Sequence, residues 1–138
     1  MNFSVVTGSG GSSFREFLHA DDLAEACLFV MNLDEPTYGT LLREDAPPLL
    51  NIGTGIDVTI RELAEIVARI VGFTGNLVFD ESKPDGTPQK LMDVGRLNRL
   101  GWRAKIGLED GIARACADFT ASAAWRETPH GKQVHSGE

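Results

Sequence analysis

The sequence predicts a small α/β domain built from a few short strands and about four helices. Two observations carry this reading. Apolar residues recur at helical spacing in three separate segments, and between these stand short apolar runs, "FSVV", "LLNIGTG" and "NLVF", bounded by glycine or polar turn residues. A chain of 138 residues with 42% hydrophobic and 24% charged content fits one globular domain. At this length about two thirds of the unfolded surface is buried on folding, so neither a metal nor a disulfide framework is required.

Taken in order, "FSVV" reads as a first strand and "TGSGGSS" as a turn or mobile loop. In "FREFLHADD", Asp21 or Asp22 caps a helix reaching about Asn32. Leu23, Ala26, Cys27, Val30 and Met31 form its apolar stripe, which is expected to pack against a sheet. Residues 33–48, with three prolines, a glycine and four acids, suggest a surface excursion. "LLNIGTG" then reads as a buried strand ending in a glycine turn.

"TIRE" follows as a capping box: Thr59 caps backbone amides and Glu62, three residues on, reaches back. Leu63, Ile66, Val67, Ile70 and Val71 make the buried stripe of that helix, and Gly72 stops it. "NLVF" at 76–79 is the next strand, and a loop covers about 80–90. Asp93 starts a short helix ended by Gly101. The last helix is "LEDGIARACADFTASAA", with Leu108, Ile112, Ala115, Cys116 and Phe119 on one face and Glu109 and Asp110 at its positive N-terminal end. The expected division is a domain over 1–125 and a disordered tail over 126–138. Three short strands are few for a free-standing sheet, which points to exposed edges or a missing partner domain.

Composition removes several functions. A formal charge of −7 argues against a general nucleic-acid or membrane-surface binder, so any anionic ligand must be met locally. No run approaches the roughly 20 apolar residues of a membrane-spanning helix. The start "MNFSVVTGSGG" lacks the regions of a signal peptide. Cys27 and Cys116 fall at periodic apolar positions and are expected to be reduced core thiols, which makes the cytoplasm the expected compartment.

The leading site candidate is the loop "DESKPDGTPQKLMDVGR". Pro84 and Pro88 stiffen it, Gly86 permits unusual backbone angles, and Lys83, Asp85 and Lys90 sit on that frame. Such residues suit a phosphate and a hydroxylated ring; read from pattern alone, a solvated charged turn is the alternative. Arg15 offers a bidentate contact to a diphosphate, or a structural ion pair with Glu16, Asp21 or Asp22. "GTG" at 53–55 lacks the third glycine of a dinucleotide fingerprint and the lysine of a P-loop, so close strand-to-helix packing accounts for it better. His19 reads as structural or capping. No metal-ligand spacing is found, His130 and His135 included.

Three segments, "REFLHADDLAEAC", "LNIGTGIDVTIRELAEIVARIVGF" and "FDESKPDGTPQKLMDVGRLNRLGW", strongly resemble GDP-L-fucose synthase, of the extended short-chain dehydrogenase/reductases. The likeness covers about residues 14–120. It implies that the chain is the small C-terminal substrate domain of such an enzyme, with the Rossmann half missing. The family uses NADPH to convert GDP-4-keto-6-deoxy-mannose into GDP-L-fucose, so a GDP-sugar is the implied ligand. By the resemblance Arg15 binds the substrate diphosphate, and Asp85 and Lys90 contact the nucleotide end. Gln89 stands where the family often has arginine.

Departures from the family pattern define the expected limits. A tryptophan that usually precedes the arginine is absent from "VVTGSGGSSFR", and Tyr38 is followed at the fourth position by Leu42, so there is no Tyr-x-x-x-Lys pair. No glycine-rich cofactor fingerprint stands near the start. Cys27 and His19 do not match the family's acid/base pair. NADP(H) is therefore implied for the full-length family, with no catalytic residue and no cofactor site expected on this chain. The expected partner is a Rossmann half or a second copy in a homodimer. Two alternatives stand beside this reading: a non-catalytic interaction domain that completes or regulates another protein, and the equivalent portion of a UDP- or dTDP-sugar epimerase or reductase.

Overall fold

The computed structural model describes residues 4–7, 10–42, 47–82 and 86–122. The tail expected at 126–138, and Lys83 and Asp85 of the candidate loop, lie outside the described residues. The element order is β1 (Ser4–Thr7), β2 (Phe14–Glu16), α1 (Ala20–Met31), α2 (Glu35–Gly39), a 3-10 turn (Thr40–Leu42), β3 (Asp57–Thr59), α3 (Ile60–Val71), β4 (Asn76–Phe79), β5 (Gln89–Lys90), α4 (Gly95–Leu100) and α5 (Leu108–Ala121). This is an α/β arrangement with five helices rather than about four. The extra one is α2, inside the proline-rich excursion. Asp34 starts it by accepting the Thr37 amide at 2.8 Å, and Pro36 sits in the first turn, where no amide is needed. Hydrogen bonds from the Thr37 side chain and amide hold the Asp34 carboxyl below its ordinary range.

The strands form two small sheets. β1 and β4 pair in parallel, from Ser4 opposite Asn76 to Thr7 opposite Phe79. The second sheet has the order β3-β2-β5, antiparallel between β2 and β3 and parallel between β2 and β5. The stretch "LLNIGTG", expected as a strand, is irregular instead. Leu50 and Ile52 still pack, half-buried, against the core while Leu49 is exposed, so their burial comes without a ladder. The strand lies just beyond this stretch, at Asp57–Thr59.

The core gathers Ala26, Leu97 and Trp102, with Phe29, Val30 and Leu100 packed around them. α1 thus buries its inner face against α4 and the Trp102 segment, not against a sheet as expected. Its predicted stripe divides: Ala26 is fully buried, while Leu23, Cys27 and Met31 are exposed, Met31 at 79%. Cys27 is therefore not a core thiol; Cys116 is half-buried. Asp22 takes no part in capping. It is 2% exposed, and its carboxylate accepts the amides of Lys105 at 3.1 Å and Ile106 at 2.9 Å, fastening the loop before α5 to the first turn of α1. His19 is the N-cap, its Nδ1 accepting the Asp21 amide at 3.2 Å.

α3 follows its sequence signals closely. Thr59 and Glu62 form the capping box, and Gly72 closes the helix at φ 70°, a left-handed conformation suited to glycine. Hydrogen bonds from the Thr59 amide and hydroxyl hold the Glu62 carboxyl below its ordinary range. α3 packs beside α5, and an exposed Arg69–Glu109 ion pair at 2.7 Å joins them. Among the described residues no helix is long and apolar enough to cross a membrane.

Candidate functional site

Arg15 sits in the central strand of the three-stranded sheet, with Val58 opposite on one side and Lys90 on the other. Laterally paired residues project from the same face, so the register puts Arg15 and Lys90 side by side. The Arg15 guanidinium is held by its surroundings. Nη1 donates to the carbonyl of Phe14 at 2.6 Å and to that of Thr87 at 2.8 Å. A Cβ added to Gly86 would stand 3.4 Å from Nη2, so the loop also passes close on that edge. The Phe14 amide completes the contact by donating to the Pro88 carbonyl at 2.8 Å. Of the three predicted site residues, the structure brings Arg15 and Lys90 together; Asp85 is next to Gly86 in the chain but outside the described residues.

The ion pairs considered for Arg15 do not form. Glu16 points from the opposite face, Asp22 is buried on its two amides, and Asp21 lies beside His19 at 3.6 Å. Gln89 is likewise on the face away from Arg15, where its Nε2 donates to Asp57 Oδ2 at 2.6 Å. His19 packs against Gly111 of α5, where a Cβ would lie 3.1 Å from its ring.

Glu16, weighed in the sequence only as an ion-pair partner for Arg15, instead ties two loops to β2. Its Oε1 accepts the Gly55 amide at 2.7 Å and the Thr54 hydroxyl at 3.2 Å, while Oε2 accepts the Met92 amide at 2.9 Å. The "GTG" turn is therefore filled by a carboxylate. Gly53 is needed for that approach, because a Cβ there would overlap Glu16 Oε1. The local signal was an acid beside the candidate arginine together with a glycine turn, but nothing in the sequence joins two segments so far apart.

This geometry also bears on a dinucleotide cofactor. The glycine turn at 53–55 leads into β3 rather than directly into a helix, and a carboxylate already takes its donors and would repel a phosphate. The described residues thus offer no open phosphate-binding turn at 53–55. They also contain no group of three His, Cys, Asp or Glu side chains arranged to hold a metal ion. What the face does offer is cationic: a planar guanidinium with an ammonium beside it, suited to phosphate oxygens.

No family model matches the chain. Among curated proteins, GDP-L-fucose synthase of Escherichia coli is 51% identical over 112 residues, covering 79% of this chain and 34% of that protein, in its C-terminal portion. The chain is homologous to the C-terminal part of GDP-L-fucose synthase. It spans about a third of the length of the curated relatives it matches. Solved structures agree with this placement. A GDP-6-OMe-4-keto-L-xylo-heptose reductase from C. jejuni is 43% identical with a TM-score of 0.76, covering 84% of this chain and 33% of that one. The GDP-mannoheptose C4 reductase from Campylobacter jejuni, solved with NADP bound, is 41% identical with a TM-score of 0.71, covering 84% of this chain and 34% of its own. The GDP-L-fucose synthase resemblance thus holds for the fold as well as for the motifs.

Proposed function

We propose that this chain is the GDP-sugar-binding portion of a GDP-L-fucose synthase-like, NADP-dependent epimerase/reductase acting on GDP-4-keto-6-deoxy-mannose. The observation that carries this is the register pair Arg15 and Lys90, two cations on one sheet face with the guanidinium tied to the 86–88 loop. Arg15 meets the diphosphate through its Nη2 edge, since Nη1 is engaged by two carbonyls. Lys90 supplies a second positive charge, and Asp85 accepts hydrogen bonds from the nucleotide end. The relatives named above that act on sugars carry GDP, which favours GDP over UDP or dTDP.

Reduction needs a hydride donor held against the C4 ketone and a proton donor of suitable pKa. The chain contains no Tyr-x-x-x-Lys pair, and its glycine turn is closed to a cofactor phosphate. Alone it therefore binds GDP weakly and turns nothing over; the remaining two thirds of the fold supply the chemistry. The test is a titration of the 138-residue chain with GDP and UDP, followed by chemical shifts at Arg15 and Lys90, alongside NADPH oxidation on GDP-4-keto-6-deoxy-mannose. GDP shifts at both residues, abolished by Arg15→Ala, support the reading. Turnover by the isolated chain, or equal affinity for UDP, refutes it.

A second reading, an interaction domain that completes or regulates a partner, is favoured by the exposed Leu23, Leu28 and Met31 on α1. Light scattering on a size-exclusion column separates the two: a monomer at every concentration counts against it.

A further inference from the structure

We infer that Glu16 is a positioning residue for the anion grip: its carboxylate sets where Lys90 stands relative to Arg15. The inference rests on the reading of Arg15 and Lys90 as that grip. β5 is only two residues long and has just two register pairs with β2, Phe14 with Gln89 and Arg15 with Lys90. On the approach to Lys90 the strand is held by the Pro88 carbonyl on the Phe14 amide and by the Thr87 carbonyl on Arg15. Beyond Lys90 it is the Met92 amide on Glu16 Oε2, at 2.9 Å, that holds the chain to β2. Glu16 extends a ladder that is too short to fix its last residue.

The carboxylate can do this because its other oxygen is anchored from the far side by Gly55 and Thr54. Both oxygens have donors, so the group is fixed in position as well as paired. Alternation along β2 puts Glu16 on the face opposite Arg15, where its negative charge does not compete for the two cations. Glu16 acts through the backbone and touches no bound anion.

The substitution Glu16→Gln keeps the size but turns a donor toward one of the backbone amides, so only one side stays satisfied. Gly53→Ala attacks the same group differently, because the new Cβ overlaps Oε1. A control separates positioning from stability: Leu97→Val loosens the core around Ala26 and Trp102 and alters none of the hydrogen-bond partners of Glu16. The experiment is amide hydrogen exchange and GDP titration by NMR on the full 138-residue chain.

In E16Q and G53A the Met92 amide exchanges faster while amides inside α5 keep their rates, and the GDP Kd of the folded protein rises about tenfold. The control leaves that Kd unchanged. Gly53→Ala made in an E16A background adds little, since the group it displaces is gone. Wild-type Met92 exchange and wild-type GDP affinity in E16Q overturn the positioning role alone, as does an equal loss of affinity in L97V. A wild-type chain that gives no response to GDP overturns the grip itself, and the positioning role with it.

Discussion

Removing the Asp22 carboxylate is the sharpest probe of how the domain is tied together. The side chain is 2% exposed and serves two backbone donors, Lys105 N at 3.1 Å and Ile106 N at 2.9 Å. Asp22→Ala leaves both amides without an acceptor in a site that water enters poorly. Each orphaned donor costs about 1–3 kcal/mol, so the expected loss for the two is about 2–6 kcal/mol. The missing negative charge in the first turn of α1 adds about 0.5 kcal/mol. Against a total stability of about 5–15 kcal/mol for a domain of this size, that is a large fraction. Asp22→Asn with its oxygen at the Oδ2 position keeps both bonds and should lose less than half as much, the remaining cost coming from its amide nitrogen facing the Lys105 amide, which in wild type also meets Oδ1 at 3.2 Å. Urea denaturation followed by circular dichroism measures both, and the loosened 103–107 segment should show faster amide exchange. A D22A variant within about 0.5 kcal/mol of wild type would refute the reasoning. So would an Asn variant as unstable as the Ala variant, which would make charge, not the number of acceptors, the decisive quantity.

Two further outcomes follow from the structure. The Glu62 carboxyl is held below its ordinary range by the Thr59 amide and hydroxyl, so the folded state binds that proton less readily than the unfolded chain. Its contribution is present above the unfolded pKa and disappears as pH falls through the folded one. Thermal melts from roughly pH 5 down to pH 3 should therefore show wild type losing more Tm than Glu62→Gln, whose side chain keeps an acceptor and does not titrate. Arg96 donates from Nη1 to the carbonyls of Pro47 and Leu49, both at 2.8 Å, and from Nη2 to that of Leu41 at 3.1 Å. Arg96→Ala should leave the GDP response intact while protease cleavage at 47–50 becomes much faster; unchanged cleavage would show that the guanidinium does not hold Pro47 and Leu49.

Which parts of the molecule were readable in the sequence follows from how far apart their causes lie. α3 was legible because its start, Thr59 with Glu62, its stripe and its stop at Gly72 are all local signals. The "NLVF" strand matched β4 for the same reason. β2 and β3 were not legible, because three-residue strands have too little periodicity and exist only through pairing, Phe14 with Thr59 and Glu16 with Asp57. Apolar residues at 49–52 looked like a strand since burial, not pairing, is what hydrophobicity reports. Asp21 and Asp22 looked like caps because acids favour helix starts; His19 took the cap, and a distant loop recruited Asp22. At the candidate site the residue types pointed to Arg15 and Lys90, but only the register shows that they share a face. Glu16 stayed hidden, since its partner Met92 is 76 residues away.

That separation has a consequence in time. α3 can begin to form as soon as its own residues have been made, yet the contacts that orient Arg15 span 72 residues to Thr87 and, through Glu16, 76 to Met92. Long-range pairing of this kind closes late, because loop entropy must be overcome before any contact compensates for it. On a growing chain Arg15 is made before either partner segment, and it waits for the 72 residues to Thr87 to be added before it has a fixed direction.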